Sequence, residues 1–191
     1  MAATQPIRNK HQIKELARYY LRRGQFRNHV LIVLGLHTAL RISDLLRLRW
    51  DDVYDFENQC VRAIFTTTEK KTGKGKTIAL NKDAVRALTL LATKTAEQGH
   101  FLLENNRTKK AISRIQAYRL IRAAADALQF QFRVSCHSLR KTFGYHALKS
   151  GVSLATIMEI YNHSNFAVTR RYLGITQDEK NEAYQNLSLL A

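Results

Sequence analysis

The sequence predicts an α+β fold, mainly helical, with a small three-stranded antiparallel sheet. Three observations carry that prediction. Apolar residues recur at helical spacing along most of the chain. Between residues 52 and 80 the pattern switches to β-branched and aromatic runs broken by turn residues. One proline and eight glycines leave no linker-like segment, so the 191 residues suit a single domain, 1–191.

The elements follow in order. Residues near 9–22 read as a helix, and a second runs from about Phe26 to Ala39, with Phe26, Val30, Val33 and Leu34 on one face. After Arg41 a short helix places Ile42, Leu45 and Leu46 on one side. DVYDF, a turn at Glu57-Asn58, and QCVRAIFTTT read as two strands; KKTGKGK is a Gly/Lys turn, and KTIAL returns as the third. From Asn81 onward everything reads as helical. Asn81 is an N-cap before Val85, Leu88 and Leu91. Further helices are expected over 111–128, about 137–149 (ended by Gly151), 153–160, 165–173 and 177–189.

Charge is the outlier in composition. Against 15 Asp+Glu stand 31 Lys+Arg, giving +16 and a pI near 10.2. A basic globular chain of this kind binds polyanions, nucleic acid first among them. No basic amphipathic anchor favours a membrane. HVLIVLGLHTAL, the longest apolar stretch, is too short and too closely flanked by charge to span a bilayer. MAATQPIRNKHQ lacks the apolar run of a signal peptide. Cys60 and Cys136 form no Cys-x-x-Cys, which fits a reducing cytoplasm.

Two motifs are decoys. GKGKT invites a phosphate-loop reading, but that motif needs a glycine five residues before Gly75, where Lys70 stands, and a helix where a strand follows. The seven histidines show no ligand spacing, so no metal site and no cofactor are expected. Residues 147–172 have the rhythm of a helix-turn-helix, so a non-catalytic DNA-binding regulator is a rival reading.

Four stretches place cations where helices begin or strands turn. TALRISDLLRLRW holds Arg41 with Asp44 three residues on, and EKKTGKGKTIAL crowds lysines at a hairpin tip. CHSLRKTFGYHAL puts His137 and Arg140 one helical turn apart. YNHSNFAVTRRYLGI holds His163 nine residues before Tyr172. Singly, each has an ordinary structural explanation: a surface ion pair, a solvated turn, a residue near a helix cap, a satisfied core histidine. A phenol is ionised only about once in a thousand at pH 7, and the stretch around Tyr172 alone does not say whether it is a packed aromatic or a nucleophile.

Together the four stretches resemble the tyrosine recombinases, the phage-integrase family. LRISDLLRLRWDDV is similar to the family's first arginine box, with Arg41 as its arginine, and His137-x-x-Arg140 resembles its His-x-x-Arg box. His163 follows Arg140 by 23 residues and precedes Tyr172 by nine, and Lys71 in Lys-Thr-Gly matches the strand lysine. Such order holds over more than 130 residues, and the likeness covers about residues 5 to 191. Tyr161-Asn162-His163 departs from the common Leu-Gly-His.

The resemblance implies the tyrosine-recombinase catalytic-domain fold and strand cleavage through a 3′-phosphotyrosyl intermediate with Tyr172 as nucleophile. Arg41, Arg140 and His163 would bind the phosphate, His137 would accept the phenolic proton, and Lys71 would protonate the leaving 5′-oxygen. Asp44 would hold the first arginine box in place. Double-stranded DNA would be the partner, bound by a homo-oligomer, a tetramer, with accessory DNA-bending proteins, in the cytoplasm at the nucleoid. Lys109, Lys110 and Arg114, read as one helix, are candidate DNA contacts. A tail over 174–191, with Ala183, Leu187 and Leu190 at helical spacing, would dock on a neighbouring subunit. Most members carry an N-terminal core-binding domain; the chain is expected to lack one, like the short members that invert fimbrial promoters, the alternative being an excised fragment. A type IB topoisomerase shares the chemistry and is the further rival.

Overall fold

The computed structural model describes residues 4–174 and 184–187. In chain order they form α1 (Lys10–Leu21), α2 (Phe26–His37), α3 (Ile42–Leu45), α4 (Trp50–Val53), β1 (Tyr54–Asp55), β2 (Cys60–Val61), β3 (Ile64–Thr68) and β4 (Gly75–Ala79). There follow α5 (Lys82–Thr95), β5 (Glu104–Asn105), β6 (Lys110–Ala111), α6 (Arg114–Ala127), α7 (Cys136–Lys149), α8 (Leu154–Tyr161) and α9 (Phe166–Leu173). The fold is α+β and mainly helical, as the periodicity predicts. The expected helix over 177–189 lies outside the described residues except at its centre, where Tyr184 and Leu187 are exposed.

The axis of the core is α2. Every residue from Val30 to Leu36 is buried, and α1, α5 and α7 pack around it. A helix apolar on all sides belongs inside. Gly35 sets how closely α7 can approach, since a Cβ there would stand 2.7 Å from Leu139 Cδ1. A mid-helix glycine costs about 0.5–1 kcal/mol relative to alanine. Here it brings Arg140, the next residue of α7, against the C-terminal end of α2. A second, smaller cluster of Ala39, Ile157, Tyr161 and Leu173 lies beneath that end.

The three-stranded sheet is not formed; the strands make separate two-stranded antiparallel ladders. Asp55 Oδ1 accepts from the backbone N–H groups of Glu57 and Asn58 at 3.0 Å, and this turn folds β2 back on β1. The pairing then changes partner after Val61, and β3 joins β4 with Phe65 opposite Ile78 and Thr67 opposite Lys76. The first expected strand begins instead as α4, whose Asp52 accepts from the backbone N–H of Arg49 at 2.7 Å. Nor is everything helical after Asn81: β5 pairs with β6, and an isolated bridge joins Arg49 to Phe101.

Candidate active site

The site is built on the sharp turn after α2. Thr38 Oγ1 donates to Leu34 O at 2.7 Å and closes the helix. Ala39 then adopts φ +53°, a left-handed conformation uncommon for a residue with a Cβ, with its methyl group fully buried. The turn aims the Ala39 carbonyl at α7, where it accepts from Arg140 Nη1 at 2.5 Å. Arg41 follows as the residue that opens α3.

Arg41 and Arg140 converge on one acceptor. Arg140 Nη2 donates to Tyr161 O at 3.1 Å, and Arg41 Nη2 reaches the same oxygen at 3.4 Å. Tyr161 is the last residue of α8, so its carbonyl lies at the negative end of that helix. The Arg140 guanidinium also lies over the Tyr161 ring at 4.6 Å, while Tyr161 Oη donates to Arg140 O at 2.6 Å. Arg140 is 3% exposed, yet a guanidinium keeps its charge in proteins. Burial pulls its pKa down, opposed by Tyr172, Tyr161 and Glu69.

Tyr161-Asn162-His163 makes a helix end that suits an asparagine. Asn162 takes φ +51° as the cap of α8, a conformation asparagine tolerates better than most residues. His163 is then fixed by Nδ1, 3.1 Å from Thr169 Oγ1. Tyr172 packs edge-on against two rings, Tyr161 at 5.5 Å and His163 at 5.4 Å, with Lys141 Nζ 5.0 Å from its own ring centre. Burial raises the Tyr172 pKa, and Arg140, by charge and hydrogen bond, and Arg41 pull against that rise. His137 stands exposed one turn before Arg140; partial desolvation lowers its pKa, reinforced by Arg140, Lys141 and Arg114. Burial also lowers that of His163, with Arg140, Arg41 and Lys71 acting the same way and Glu69 against them. Both imidazoles are therefore biased to the neutral form, the form that accepts a proton.

Room for Tyr161 comes from Gly144. A Cβ on Gly144 would fall well inside contact distance of Tyr161 Oη and the Leu173 side chain. Gly144→Ala is expected to destabilise the protein by roughly 1–3 kcal/mol despite the better helix propensity of alanine, because the overpacking falls on a ring pinned by its own hydrogen bond. Thermal denaturation checks this, and an unchanged or raised melting temperature would refute it.

Two carboxylates tie the hairpin to the first arginine stretch. Asp44 is buried, and its Oδ1 accepts from the backbone N–H of Lys70 at 3.0 Å. Arg41 is held by Glu69, whose Oε2 lies 2.6 Å from Arg41 Nη1. Glu69 is fully buried, and burial works to raise its pKa; hydrogen bonds from Arg41, Asn162 and Thr72 outweigh it and keep the carboxylate ionised. Lys71 is exposed at the hairpin tip, near enough for its charge to reach His163. Lys76 Nζ lies 3.5 Å from Ala39 O, beside Arg140. Glu69 and Lys76 were missed by the motif. Strand alternation could have found them, since Phe65, Thr67 and Glu69 share one face of the hairpin with Lys76 and Ile78.

Lys109 and Lys110 do not share a helix with Arg114. Lys109 is in the β5–β6 turn, 3.4 Å from Glu104, and Lys110 is in β6. Arg114 does open α6, capped by Ser113, and with Ile115, Tyr118, Cys136 and His137 lines an open pocket of about 570 Å³ beside the site. Ile115 is 64% exposed there. Among the described residues no helix is long and apolar enough to cross a membrane.

Known proteins place this arrangement in context. The family model described as "Phage integrase family" matches residues 8–179. A probable integrase/recombinase, YoeC of Bacillus subtilis (strain 168), is 37% identical over 185 residues, covering 97% of each chain. The tyrosine recombinase XerA of Pyrococcus furiosus is 25% identical over 88% of this chain and 57% of its own length. The chain thus spans the YoeC sequence almost end to end but little more than half of XerA. In fold it is similar to a crystal structure of XerA recombinase, with a TM-score of 0.77 at 22% identity over 96% of this chain and 66% of that one. It is also similar to XerH site-specific recombinase bound to palindromic difH substrate, with a TM-score of 0.75 at 17% identity over 97% and 54%.

Proposed function

The chain belongs to the phage integrase family, and on that premise we propose that it is a tyrosine-type site-specific DNA recombinase in which Tyr172 forms a 3′-phosphotyrosyl bond. The observation that supports this most is the shared anchoring of the site: Tyr161 receives both guanidinium groups on its carbonyl and packs its ring against Tyr172 and His163.

In the proposed reaction the Tyr172 oxygen attacks phosphorus, its proton passes to His137, and the bond to the 5′-oxygen breaks as Lys71 protonates that oxygen. Attack loads negative charge on the non-bridging oxygens, and Arg41 and Arg140 meet it as fixed cations. His163, held at Nδ1 by Thr169, has its other ring nitrogen left for the phosphate, and the arriving anion favours the protonated ring that can donate to it. The phosphotyrosyl bond conserves the energy of the phosphodiester, so a second 5′-hydroxyl can reverse the step on a new partner strand without ATP. The +16 charge supplies sequence-independent affinity that falls with salt, and Arg114, at the pocket beside His137, is the proposed contact nearest the chemistry. Assembly as a tetramer, docking of the tail on a neighbour, and help from DNA-bending proteins belong to the same proposal.

A nicked suicide duplex carrying the chain's own site tests the chemistry by trapping the covalent adduct. Strand exchange between two such sites then separates a recombinase from a type IB topoisomerase. Relaxation of supercoils with no exchange would refute the recombinase reading.

A further inference from the structure

Lys76 has no part in the reaction just described, yet it is built into the same pocket. On β4 it shares a face with buried Ile78, and across the ladder it pairs with Thr67, two residues before Glu69. Its Nζ approaches Ala39 O, the carbonyl that also takes Arg140 Nη1. The ammonium and the guanidinium are therefore neighbours with one oxygen between them. The charged groups that act on Lys76 are Arg140 from α7, Arg41 and Asp44 at α3, and Glu69 from the hairpin. Three cations thus face two carboxylates, an excess of one positive charge in a half-buried cleft. A phosphodiester carries one negative charge and would neutralise it.

We propose that Lys76 is a phosphate-binding cation of the active site, holding a non-bridging oxygen of the scissile phosphate beside Arg140 and taking no part in proton transfer. This rests on the recombinase reading. Two features separate its role from that of Lys71. The Cα of Lys76 is fixed by the β3–β4 ladder and its ammonium is half-buried against Ala39 O, which suits fixed electrostatics. Lys71 is exposed at the tip, where a side chain can follow a departing oxygen. Burial first, then Arg140 and Arg41, lowers the Lys76 pKa to about 8, with Glu69 and Asp44 opposing. In the free enzyme it is charged at pH 7 and loses that charge above about pH 8; an arriving phosphate favours the charged form.

Single-turnover cleavage by the full chain tests this on two suicide duplexes, one ordinary and one with sulfur in place of the bridging 5′-oxygen. A thiolate leaves without needing a proton. Lys76→Met should slow cleavage about 10²–10³-fold on both duplexes, the usual cost of losing one transition-state donor. Lys71→Met should be slowed on the oxygen duplex and restored on the sulfur one. Lys76→Arg should keep most activity. It should also extend it to higher pH than wild type when enzyme is below saturation, where the profile reports the free enzyme. Restoration of Lys76→Met by sulfur would make Lys76 the proton donor and overturn the proposal. So would a wild-type rate in Lys76→Met, or a loss in Lys76→Met and Lys76→Arg alike that follows a fall in melting temperature. A wild-type chain that forms no adduct on either duplex would fail the recombinase reading itself.

Discussion

Tyr172→Phe binds DNA with wild-type affinity and salt dependence and forms no covalent adduct: that is the expected result, a loss of about 10⁴-fold or more in cleavage. The substitution removes one oxygen and keeps the ring. Its edge-on contacts with Tyr161 and His163 remain, so the helix pair α8–α9 should hold its place. Affinity comes mainly from backbone phosphates and the +16 charge, neither of which changes. A substitute nucleophile is poorly provided. Tyr161 is the nearest phenol, but burial pushes its pKa up further than that of Tyr172, and its hydroxyl is committed to Arg140 O. Denaturing gels of a suicide-duplex reaction report the adduct, and fluorescence anisotropy reports binding. An adduct that persists in Tyr172→Phe would show that the bond forms elsewhere, and the assignment of the nucleophile would fall.

The helices were legible because each carries its signals locally. Asn9, Asn81, Ser113, Ser153 and Asn165 all cap helices with side-chain oxygens, and apolar spacing marks the buried faces. The sheet was less legible. Composition identified strand-formers from 52 to 80 but not which strand pairs with which, and the Asp55 turn decides that. The β5–β6 hairpin was lost because Lys109 takes a left-handed turn that nothing in a basic, polar segment announces. Within the site, the family resemblance singles out Arg41, Arg140, His163 and Tyr172, and the fold gathers these four around Tyr161. Glu69 and Lys76 belong to no such spacing. A buried glutamate matters only once its arginine is placed, and that requires α3 and the hairpin to meet, a contact between residues nearly thirty apart.

Arg140→Lys tests whether geometry or charge alone holds the centre together. Both side chains are cationic, so a pocket that needed only positive charge would tolerate the change. Arg140 does more. Its two terminal nitrogens satisfy two buried carbonyls, Ala39 O and Tyr161 O, and its plane lies over the Tyr161 ring. An ammonium on a flexible stem cannot span both carbonyls, stack on the ring and still face a phosphate. One buried acceptor loses its shorter bond and keeps only the longer contact from Arg41 or Lys76, at a cost of roughly 0.5–1.5 kcal/mol. Cleavage should fall by about 10²–10³-fold, since a transition-state donor is lost. Arg41→Lys makes the informative contrast. Arg41 is more exposed, its contact with Tyr161 O is longer, and a lysine could still meet Glu69. Its stability should change less than that of Arg140→Lys while its cleavage also falls. Urea denaturation and single-turnover cleavage measure the two effects separately. Equal stability losses in both variants would mean that the two carbonyls are not what fixes Arg140. Unaltered cleavage in Arg140→Lys would mean that the forked geometry is not what stabilises the transition state.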